Sequence, residues 1–70
     1  MNEIVFEVSQ ESDGGFVAEC LTEGIITQAH NWEDLRRNVK AAVAAYYFDH
    51  PTQPAAIRLH LIPDEVLANS

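Results

Sequence analysis

The side chains of this chain that could do chemistry are its carboxylates, three histidines and one cysteine. Two-metal phosphoryl chemistry needs several carboxylates converging on a pair of cations. The candidates are Glu7 and Glu19, expected diagonally placed on the outer face of a sheet, and Asp34, expected at the head of a helix. Those placements do not converge, so the three read as solvated strand and cap carboxylates. His30, His50, His60 and Cys20 are metal-ligand types, but no pair shows a spacing such as C-x₂-C or H-x₃-H, and each falls on a different element. Cys20 reads as a small core residue, sheltered from any substrate a Cys–His pair would attack. Gly14-Gly15 joins two strands among acids and lacks the lysine and following helix of a phosphate loop. The chain is therefore expected to be no enzyme, with no catalytic residue, metal site or cofactor. A 70-residue chain also offers little room for a buried substrate pocket.

What remains is contact chemistry. Residues 1–30 hold Glu3, Glu7, Glu11, Asp13, Glu19 and Glu23 and no Lys or Arg, within a net charge of -7. An acidic surface repels phosphate, so direct nucleic-acid binding is not expected, and a basic protein partner is the natural complement. The bland reading of the same charge is solubility. Tyr47 and Phe48 turn progressively away from the helix face that carries Tyr46, beside the small Ala41, Ala44 and Ala45. They form a candidate contact patch, unless the loop DHPTQP or the tail covers them. The candidate contact residues are thus Glu7, Val17, Glu19, Tyr47 and Phe48.

The elements that must position these residues begin with Asn31 to Phe48, the one long helix. Asn31 is a good N-cap, Asp34 stands in a variant of the capping-box position, and Glu33 and Asp34 put negative charge where the helix dipole favours it. At 100° per residue Trp32, Leu35, Val39, Ala42, Val43 and Tyr46 share one face, opposite Glu33, Arg36, Arg37 and Lys40. Pro51 and Pro54 bar continuation.

Four strands complete the chain. Glu3 to Ser9 alternates, with Ile4, Phe6 and Val8 to one side; QESDGG is turn chemistry; and Phe16 to Thr22 alternates again. Pairing Val8 with Phe16, Phe6 with Ala18 and Ile4 with Cys20 gives an apolar inner side, and leaves Glu7 against Val17 and Val5 against Glu19 outside. Ile25 to Ala29 and Ala56 to Ile62 are the third and fourth strands, the last with Ile57, Leu59 and Leu61 inward. A meander of three strands, then a right-handed crossover through the helix, sets the fourth strand parallel to the first. The expected fold is α+β, βββαβ, a four-stranded mixed sheet of order 3-2-1-4 with one helix on one face. It is one domain over residues 1–70, with its core in 3–62 and a short tail 63–70. Acids at the N-terminus and the lack of any membrane-length apolar run argue against a signal peptide or a membrane span, and a lone Cys argues against a disulfide framework. A cytoplasmic protein is expected.

Asp13-Gly14-Gly15-Phe16-Val17-Ala18-Glu19, Thr27-Gln28-Ala29 and Asn31-Trp32-Glu33-Asp34-Leu35, followed by an Ala-rich helix, resemble the N-terminal domain of the HicB-like antitoxins. The resemblance covers roughly residues 3–62. It implies a partial ribonuclease-H-like fold and a role in binding and neutralising a small basic HicA-like RNA-cleaving toxin. The ending IRLHLIPDEVLA looks like a compact stand-alone subgroup without the DNA-binding extension of other members. The alternatives are an orphan domain of that family or, from the ribonuclease-H-like chain trace, a degenerate metal-dependent nuclease.

Such a small domain buries only about 60% of its unfolded surface, and oligomerisation is a common remedy. Val5, Val17, Leu21 and Ile62 on the open face and both sheet edges lead us to expect a homo-oligomer, most simply a C₂ dimer. Face-to-face stacking would oppose Glu7 and Glu19 to their symmetry mates. Contacts by an edge, or by the helix through Tyr47, Phe48 and the alanines, with the tail clasping the neighbour, are preferred.

Overall fold

The computed structural model describes residues 2–62; the expected conformations of the tail 63–70 lie outside them. Five elements follow in order: β1 (Glu3–Gln10), β2 (Phe16–Cys20), β3 (Ile25–Ala29), α1 (Trp32–Tyr46) and β4 (Ala56–Ile62). The sheet order is β3-β2-β1-β4, with β1 antiparallel to β2 and parallel to β4, and β2 antiparallel to β3. This is the α+β, βββαβ fold with sheet order 3-2-1-4, one helix covering one face.

Alternation makes the strands. Ile4, Phe6 and Val8 of β1 are buried, and the residues between them are exposed. Ala18 and Cys20 of β2, Ile25 of β3, and Leu35, Val39 and Val43 of α1 close the core around them. Asn31 caps α1: its side-chain oxygen accepts from the Asp34 N–H at 2.8 Å, and its own amide donates to the Asp34 carboxylate at 3.2 Å. Both ends of that short sequence therefore satisfy each other. After the helix, the Asn2 carbonyl accepts from the Ala55 N–H at 2.7 Å and so seats the start of β4 against β1.

The β1–β2 register differs from the expected one. Val8 pairs with Ala18, Ser9 with Val17 and Gln10 with Phe16, so the partners are slipped by two residues. The turn is the reason. Glu11 to Gly15 closes with the Glu11 N–H donating to the Gly15 carbonyl at 2.7 Å and the Gly14 N–H to the Glu11 carbonyl at 3.0 Å. Asp13 accepts from the Gly15 N–H at 3.0 Å, and Gly14 takes φ 95°, which other residues adopt only with strain. This tight loop lets β1 run on to Gln10. A slip of two keeps every side chain on its face, so the core survives the change while the outer-face neighbours are exchanged.

The helix also packs differently in detail. It lies over β3 and β2, with Asn38 donating to the Gln28 carbonyl of β3 at 2.9 Å and Trp32 edge-on to Phe16 at 5.4 Å. The buried row is Leu35, Val39, Val43, continued by the partly buried Tyr47, at steps of four residues. Tyr46, expected on the core stripe, is largely outside it at 38% exposed. Tyr47, expected to turn away from that stripe, is the residue that packs against the core in its place. With α1 displaced toward β3, the inner face of β4 is incompletely covered: Leu59 is only partly buried, and Leu61 is 45% exposed.

Candidate functional site

The outer face of the sheet takes its character from the register. Glu7 on β1 lies directly opposite Glu19 on β2, and on its other side is in register with His60 on β4. The two glutamates are therefore cross-strand neighbours and not, as the slipped pairing implied, diagonal. Like charges placed opposite each other oppose folding. At the Asn2 end of the same face Glu3 is neutralised, because Arg58 grips its carboxylate with two bonds of 3.1 and 3.0 Å. That bond and the Glu3 charge push the Arg58 pKa up. Glu7, Glu19 and Glu23 have no cationic partner among the described residues.

These carboxylates border an open cleft of about 380 Å³. Its walls include Glu3, Glu7, Glu19 and Glu23, with Val5, Leu21 and Tyr47 as apolar surface. Three of the expected contact residues, Glu7, Glu19 and Tyr47, thus meet around one concavity. Val17 adjoins Glu7 and Glu19 in a smaller depression of about 90 Å³ with Ser9 and Ile62. Phe48 stands apart, 86% exposed past the end of the helix and lining neither hollow.

Tyr47 is fixed by the loop after α1. It is the C-cap, its N–H donates to the Val43 carbonyl at 3.0 Å, and its own carbonyl accepts from Gln53 Nε2 at 2.6 Å and from the His50 N–H at 3.1 Å. The His50 ring stacks on Tyr46 at 5.6 Å and meets Tyr47 edge-on at 5.0 Å. The DHPTQP loop therefore holds Tyr47 against the core and leaves Phe48 outside. Glu23, as an acceptor available to the phenol and as a negative charge, holds the Tyr46 phenol above its ordinary range. Desolvation leads the shift in the same direction at Tyr47, with the Glu23 charge next. Sequence reasoning missed Glu23 as a member of this cleft. Its signal was position, in the turn after β2, but only the tertiary fold brings that turn to the end of α1.

The remaining chemistry-bearing residues are dispersed. Asp34 is bound to Arg37 at 2.8 Å and lies with Glu11, Asp13 and His30 beside a different cleft of about 470 Å³, whose walls are mainly polar. Cys20 is buried, with its sulfur 3.3 Å from the Thr22 hydroxyl. Among the described residues no three of His, Cys, Asp and Glu gather as a metal site, and no helix there is long and apolar enough to cross a membrane. Arg36 and Lys40 flank a third groove, between α1 and β4, floored by Val39, Ile57 and Leu59.

Chemically, the outer cleft suits a cation carried on an aliphatic stem. Carboxylates line it on several sides, while Val5, Leu21 and the Tyr47 ring offer surface to methylene groups. No protein-family model, curated protein or solved structure matches the chain.

Proposed function

We propose that this chain is a non-catalytic protein-interaction module of the HicB-like kind, which binds and neutralises a small basic HicA-like RNA-cleaving protein through its acidic outer sheet. The observation that supports this most is the opposition of Glu7 and Glu19 beside a cleft that also holds Glu23 and Tyr47. A basic partner supplies the missing counter-charge. A Lys or Arg side chain entering the cleft turns a repulsive pair into a charge-assisted contact, which raises both the association rate and the selectivity for basic surfaces. The module acts in the cytoplasm, on this reading, and does not itself bind nucleic acid, because the face it presents carries the wrong sign for phosphate.

The test is co-expression with the product of the adjacent reading frame, followed by affinity measurement at two salt concentrations. A stoichiometric complex that weakens steeply with salt is expected, and Glu7→Lys with Glu19→Lys should abolish it while the domain stays folded. Recovery of no basic partner, or a complex indifferent to both substitutions, would overturn the reading.

A further inference from the structure

We infer that β4 is a docking edge for a second copy of this chain, paired antiparallel to itself about a two-fold axis at Leu59. The two edges of the sheet are treated differently by the fold. The β3 side lies under α1, and Asn38 occupies the Gln28 carbonyl. β4 pairs with β1 alone, across its whole length, and its other side is unpartnered among the described residues. A seven-residue edge with no lysine, proline or bulge within it carries one full charge, Arg58, and that charge is drawn back to Glu3 of β1 and does not stand free at the edge.

The strand is also suited to its own copy. Antiparallel pairing centred on Leu59 overlaps all seven residues, so Ala56 meets Ile62, Ile57 meets Leu61, and Leu59 meets Leu59. On the helix side this sets three apolar pairs together and covers Leu61, which points to the core side yet is 45% exposed in the single chain. On the outer side Arg58 falls opposite His60. β4 is the one strand of the outer face that pairs basic character with no acid, since β1 and β2 carry Glu3, Glu7 and Glu19. An edge contact through β4 therefore brings no carboxylates against each other, as stacking of the outer faces would. The result is a continuous eight-stranded sheet with both helices on one side, and it leaves the acidic clefts open. The inference stands apart from the partner assigned above, because it involves different residues and no second protein.

Sedimentation equilibrium at micromolar concentrations, with amide hydrogen exchange on the same samples, tests it. The wild-type chain is expected to be a dimer whose β4 amides slow as concentration rises. Leu61→Lys should weaken the dimer on the order of tenfold or more, with an unchanged circular-dichroism spectrum, and Phe48→Glu should leave it intact. A wild-type monomer, a dimer that survives Leu61→Lys, or β4 amides whose exchange ignores concentration would each overturn the inference.

Discussion

Glu7 and Glu19 face each other across adjacent antiparallel strands, and no cation among the described residues lies between them. Such a pair works against the fold that holds it. Replacing one member should therefore stabilise the free domain: Glu19→Gln is expected to gain roughly 0.2–1 kcal/mol in urea unfolding. The same substitution should weaken binding to a basic partner, so that stability and affinity move in opposite directions. Glu19→Gln that destabilises the domain would show that the two carboxylates do not repel as their register implies.

The core is organised around Phe6, which is fully buried on the central strand between Ile4 and Val8 and beneath the row Leu35, Val39, Val43. Truncation to alanine leaves a cavity that a four-stranded sheet under a single helix closes poorly. Phe6→Ala should cost roughly 3–5 kcal/mol, close to the full stability expected of a domain this small. Chemical denaturation measures it, and a loss below about 1 kcal/mol would mean that the site collapses around the gap, contrary to the usual partial relaxation.

Glu23, in the β2–β3 turn, raises the Tyr46 pKa, chiefly as an acceptor available to the phenol and then by its charge. The folded chain thus prefers the neutral phenol. Its contribution to stability is fully present below the unfolded tyrosine value of about 10. It is lost as pH rises through the higher folded-state value. Glu23→Gln should bring the Tyr46 ionisation down toward that of a free tyrosine, read by ultraviolet absorbance titration in a Tyr47→Phe background. An unchanged titration would remove Glu23 from the cleft's electrostatics.

Most of the architecture was legible in the order of residue types. Two-residue alternation in Glu3–Gln10 and Phe16–Cys20 specifies both strand and inward face, because successive strand side chains point oppositely. Asn31 and Asp34 mark the start of α1 through hydrogen bonds that are local in the chain. The order β3-β2-β1-β4 follows from short connections and the handedness of the crossover, which depend on chain length and chirality more than on particular side chains.

Three things were decided only by the tertiary structure. The alternation of β1 and β2 is unchanged by a slip of two residues, so it could not distinguish Glu7 beside Val17 from Glu7 beside Glu19; the closure of the Glu11–Gly15 turn made that choice. The apolar stripe of α1 put Tyr46 inward and Tyr47 outward, whereas the packed structure, with the following loop bonded to the Tyr47 carbonyl, turns Tyr47 to the core and leaves Tyr46 at its margin. Glu23 is distant in sequence from Tyr46 and Tyr47, and joins them only because the β2–β3 turn and the end of α1 come to the same corner of the domain. Periodicity assigns each residue a side of its own element. Which neighbours share that side depends on register and on packing, which are set between elements and have no local signature.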